Sequence, residues 1–79
     1  MEYFVRTMEK HKLSKQVFSP ETPCPGLMAA KAEARRLVRA APPEVQLQAD
    51  ACARNRGFVQ TKYRCWVNER GEFQESVLV

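Results

Sequence analysis

Seventy-nine residues, 44% of them hydrophobic and 28% charged, describe one small globular domain and not a disordered chain. Its core leaves little room for a deep catalytic cleft. No apolar run approaches the roughly 20 residues that span a bilayer, and the N-terminus mixes charge with bulk where a secretory segment would be continuously apolar. A cytoplasmic protein without membrane contact is therefore expected. Thirteen Lys and Arg against nine Asp and Glu give a net charge of +4. The excess falls before Phe58, and it suits either a solvated surface or an acidic partner, protein or nucleic acid.

Residues 2–8 alternate, with Tyr3, Val5 and Thr7 opposite Phe4, Arg6 and Met8, which predicts a strand. After the polar stretch Glu9, Lys10, His11 and Lys12, bulk returns over residues 13–18 and predicts a second strand, the hairpin partner of the first. Pro20, Pro23 and Pro25 follow, and their missing backbone donors predict that the chain leaves the sheet here. Thr22 offers a helix N-cap with Pro23 in the first turn, although Pro25 and Gly26 could delay the helix to Leu27.

The helical signal is strongest over residues 27–41, where Leu27, Ala30, Ala34, Leu37, Val38 and Ala41 fall within an arc of about 100°. Pro42 and Pro43 end it. A short second helix is expected over residues 44–56, with Val45, Ala49 and Cys52 as its stripe and Gly57 after its end. In the same stretch Val45, Leu47 and Ala49 also alternate as a strand would. The last third reads as β. Val59, Thr61, Tyr63, Cys65 and Val67 alternate with Phe58, Gln60, Lys62, Arg64 and Trp66. A turn at residues 68–71, with Gly71 in the left-handed position, sets Val67 against Phe73, Cys65 against Glu75 and Tyr63 against Val77. The expected fold is α+β: an antiparallel sheet of about four strands in two hairpins, with the main helix and the short second helix packed on one face.

Cys24, Cys52 and Cys65 form no close pair, and His11 is the only histidine, so neither a zinc site nor a disulfide framework is expected. His11 sits in a polar turn, no glycine-rich phosphate loop is present, and no Ser–His–Asp or Cys–His order suggests itself. Cys24, near a helix N-terminus, could have a lowered pKa. No enzyme, cofactor or metal is expected.

Two surfaces could bind a partner. On the helix, Lys31, Arg35 and Arg39 recur every four residues, with Arg36 further round. Glu33 is expected to lie away from them, which would leave the guanidinium forks free for carboxylates or phosphates. On the last long strand, Phe58, Gln60, Lys62, Arg64 and Trp66 would share an outward face, a composition suited to base stacking or to a protein hot spot. Core packing and solvation are the structural alternatives for both.

A hairpin, a basic alanine-rich helix and a terminal hairpin, without a catalytic motif, make a layout that resembles some small phage-encoded anti-CRISPR inhibitors. The resemblance implies a protein that binds an RNA-guided surveillance complex and blocks its access to target DNA. The residues themselves suggest a non-enzymatic interaction protein with an acidic protein or ribonucleoprotein partner. Direct DNA or RNA binding, and a homodimer formed through edge strands or the Phe58 and Trp66 face, are the alternatives.

Overall fold

The computed structural model describes residues 1–9, 17–18, 20–42 and 44–78. Six strands and one helix follow in the order β1 (Glu2–Glu9), β2 (Val17–Phe18), β3 (Thr22–Cys24), α1 (Leu27–Ala40), β4 (Leu47–Asn55), β5 (Phe58–Val67) and β6 (Phe73–Val77). All pairings are antiparallel, in the order β2-β1-β4-β5-β6. β3 follows β2 along the same edge of β1, so the sheet is five positions wide. The helix lies across one face. No helix among the described residues is long and apolar enough to cross a membrane.

Helix and sheet meet through small side chains. Ala30, Ala34 and Val38 of α1 pack on Val5, Ala49, Ala51, Tyr63 and Cys65, with Leu37, Val67 and Phe73 at the margin. Alanine on both sides lets the backbones approach closely, and Tyr63, 1% exposed, supplies most of the bulk. The predicted stripe of α1 is the one that is buried. The helix starts at Leu27, with Gly26 as an N-cap that makes no side-chain bond.

Four expectations need correction. The second helix does not form: residues 47–55 are β4, the centre of the sheet, pairing with β1 over eight residues. The alternation of Leu47, Ala49, Ala51 and Ala53 decides this, because a central strand beneath a close helix requires small residues on its inner face. The sheet thus has more than the expected four strands. The prolines do not exclude the ladder either, since Thr22–Cys24 pairs with Val5–Tyr3 and Pro23 lies opposite Phe4. An edge strand bonds on one side only and so tolerates proline. Thr22 is consequently no N-cap. Of the strand expected over residues 13–18, Val17–Phe18 pairs with β1 and the rest lies outside the described residues.

The final hairpin has the expected register, Val67 facing Phe73, Cys65 facing Glu75 and Tyr63 facing Val77. Gly71 has a φ of 80°, and the Asn68 side chain accepts the backbone N–H groups of Arg70 and Glu72, both at 2.9 Å. Gly57 also takes a positive φ, 86°, but in the two-residue turn between β4 and β5 and not after a helix. Its neighbour Arg56 is left-handed too, at 51°, which makes the type I′ pattern.

Candidate interaction surface

The cations of α1 meet the sheet before they can meet a partner. Arg35 donates through Nε to the Tyr63 hydroxyl at 3.1 Å, the hydroxyl donates to Glu75 at 2.7 Å, and Arg35 also lies 3.5 Å from Glu75. The Arg39 guanidinium stands 4.5 Å over the Phe73 ring and Lys31 Nζ lies 5.9 Å from the Tyr63 ring. These contacts follow from geometry: one helix edge runs beside Phe73 and Glu75, the inward positions of β6. Hydrogen bonding by Tyr63, then the Arg35 charge, holds the Glu75 carboxyl below its usual range. Glu33 does not lie away from the row, as expected from spacing, but pairs with Arg36. The pair spans three residues, and spacing by four overlooked it.

The face of the sheet away from the helix carries a cross-strand row, Arg6–Asp50–Arg64–Ser76. Arg64 grips Asp50 with two bonds of 2.9 and 3.1 Å, and Gln48 adds a third at 3.3 Å. Trp66 is half-buried between Gln48 and Gln74 in the next row. The expected five-residue face of β5 is not continuous. Ala51 faces Tyr63 while Cys52 faces Thr61, so Lys62 is an extra residue, a β-bulge. Beyond it the alternation reverses. Arg64 and Trp66 therefore share one face, while Phe58 and Gln60 belong to the other.

Sequence reasoning did not anticipate the apolar end of the molecule. Met1, Met28, Phe58, Val59, Val77 and Leu78 are the large hydrophobic residues exposed among those described, Met28 at 85% and Phe58 at 82%. The ladder rows place the strand members in one half of the sheet, Phe58 and Val77 on the helix side and Val59 on the other. Val59 lies in the row of Glu2 and Arg54, Met1 and Phe58 lie just beyond it, and Val77 reaches only the row of Val5. Met28 belongs to the first turn of α1, which starts at this end because Cys24 pairs with Tyr3. No member falls in the rows from Arg6 onward.

Charge at this end is net positive. Glu2 and Glu21 are both held by Arg54, Glu21 at 3.0 and 2.6 Å, and this lowers the Glu21 pKa. Arg56 at the turn and Lys62 at the bulge form no salt bridge among the described residues. Of the cations singled out by sequence, Lys62 borders this end, Lys31 borders it with its ammonium against the Tyr63 ring, and Arg35, Arg36, Arg39 and Arg64 are engaged within the fold.

All three cysteines are free thiols. The Cys24 pKa is raised, not lowered, because burial disfavours the thiolate and Glu33 adds repulsion. Burial likewise raises Cys52, and pushes Cys65 up to about 11. Among the described residues, no three His, Cys, Asp or Glu side chains converge as metal ligands. At the opposite end, an open cleft of about 560 Å³ lies between the end of α1 and the β5–β6 turn, lined in part by Val38, Leu47, Phe73, Arg39 and Arg70. No protein-family model, curated protein or solved structure matches the chain.

Proposed function

We propose that this chain is a non-enzymatic interaction protein that inhibits by occupation: its apolar end docks on a protein or ribonucleoprotein partner and denies that surface to others. The observation that carries the reading is the gathering of the six exposed large hydrophobic residues at one end of the sheet. Hydrophobics scattered singly over a surface are ordinary, whereas their concentration at one end favours an interface there. Arg56 and Lys62 border the patch, and they favour a partner with an acidic rim. The resemblance in layout to small anti-CRISPR inhibitors makes a purified RNA-guided complex the first partner to test.

Nucleic acid is the weaker candidate, because Arg35, Arg39 and Arg64 already serve the fold. The test is a binding titration of the wild type and of the Met28→Ser, Phe58→Ser double variant. Both positions are exposed, so the variant is expected to keep the wild-type fold and to lose at least tenfold in affinity. Undiminished binding by the variant would refute the docking surface. A salt series separates the classes, since each neutralised phosphate steepens the loss of affinity with salt, to roughly 10³–10⁵ between 50 and 200 mM for about 6–10 contacts.

A further inference from the structure

We propose that the outer edge of β6 pairs antiparallel with β6 of a second copy of this chain, about a two-fold axis through Ser76. This inference rests on the backbone edge; it shares Val77 and Leu78 with the apolar end and does not involve Met1, Met28, Phe58 or Val59.

Two backbone hydrogen bonds fix the polarity of the edge. Asn68 N–H donates to the Glu72 carbonyl at 2.9 Å, and Leu78 N–H donates to the Lys62 carbonyl at 3.0 Å. Antiparallel ladders alternate, so Gln74 and Ser76 also bond inward, to Trp66 and Arg64. Phe73, Glu75 and Val77 therefore aim their N–H and C=O groups outward, where no strand lies among the described residues.

The two edges of the sheet differ in protection. One edge consists of two short strands, β2 and β3, with Pro23 inside the second. Short strands and proline discourage pairing. β6 runs for five residues without proline, lysine or a bulge, and leads into Val77, 66% exposed, and Leu78, 44% exposed.

Side chains then choose the partner and the register. A partner residue must lie on the same face as its opposite number, so a two-fold axis must pass through a residue. Through Glu75 it would set two carboxylates face to face. Through Gln74 it would leave Val77 and Leu78 against the polar turn of the other copy. Through Ser76 it pairs Glu75 with Val77, Gln74 with Leu78, and Ser76 with itself, covering both exposed apolar side chains and opposing no like charges. A self-complementary strand of this kind fits a second copy of itself.

Ser76 bonds inward, so across the axis it forms the narrow, non-hydrogen-bonded kind of pair, with about 4.5 Å between Cα atoms. That separation lies within disulfide range. Ser76→Cys is expected to form a covalent dimer on mild oxidation, on a non-reducing gel, well above the background of the wild-type thiols. Gln74→Cys, which faces Leu78, is expected not to. Val77→Pro removes an outward N–H and no intramolecular bond, so sedimentation velocity is expected to show dimer dissociation raised at least tenfold, with an unchanged circular dichroism spectrum. A wild type that sediments as a monomer at high micromolar concentration would overturn the proposal. So would a Gln74→Cys cross-link as efficient as that of Ser76→Cys. If Val77→Pro fails to fold, the cysteine pair decides alone.

Discussion

Asp50 is 3% exposed, and both of its carboxylate oxygens accept from Arg64, whose side chain remains 39% exposed. The burden of the pair is thus uneven: the acid is buried and the base reaches water. Removing Arg64 strands a buried charge, while removing Asp50 releases a cation that solvent can receive. Arg64→Ala is therefore expected to destabilise more than Asp50→Ala, by about 2–4 against about 1–2 kcal/mol. Urea unfolding of both variants measures the difference.

Tyr63, Arg35 and Glu75 respond to acid. The lowered Glu75 pKa contributes stability that is present above the ordinary carboxylate range and is lost as pH falls through the lowered value. Glu75→Gln is expected to flatten this acid limb in thermal melts taken from pH 7 downward. Charge reversal at Arg35 and Arg39 is expected to lower the melting temperature as well, because those side chains hold Tyr63, Glu75 and Phe73.

At the alkaline end, burial raises both Cys65, to about 11, and Tyr63. A raised pKa stabilises below the unfolded value, and that stability is lost as pH climbs through the folded one. Unfolding is expected to become easier from about pH 9 upward, where an unfolded thiol titrates, and Cys65→Ala is expected to delay the onset. Ellman titration of the native protein at pH 8 is expected to modify Cys24 first, with Cys52 and Cys65 reacting only on unfolding.

Arg56 occupies a left-handed position that asparagine fills at lower cost, at the first of two such residues in the β4–β5 turn. Arg56→Asn is expected to stabilise by up to about 1 kcal/mol, part of the roughly 1–2 kcal/mol that left-handed backbone costs an ordinary residue. It also removes a cation beside the apolar end, so the same variant is expected to bind the partner more weakly. A melting curve and a binding titration together test whether this arginine serves binding at the expense of the turn.

Much of the fold was legible in local pattern. The β5–β6 register followed from alternation and one glycine, and the buried stripe of α1 from its period. β4 was not so legible, because alanine and cysteine say little about helix or strand when the deciding factor is how closely α1 approaches. The engagement of the helix cations was equally hidden. Arg35 and Tyr63 stand 28 residues apart, and only the sheet order brings them together. Exposure of Met28 and Phe58 follows from where α1 begins along the strands, which no periodicity encodes.

The bulge at Lys62 acts as a parity switch in the chain. Keeping Lys62 but pairing the strand without the bulge would impose simple alternation and turn Phe58 and Gln60 to the opposite face, with Val59 and Thr61 taking their places. Nothing about composition or charge pattern elsewhere would change, yet the hairpin tip would present a different surface beside Met28. The bulge between Tyr63 and the β4–β5 turn is thus as much a determinant of what this end can recognise as the side chains themselves.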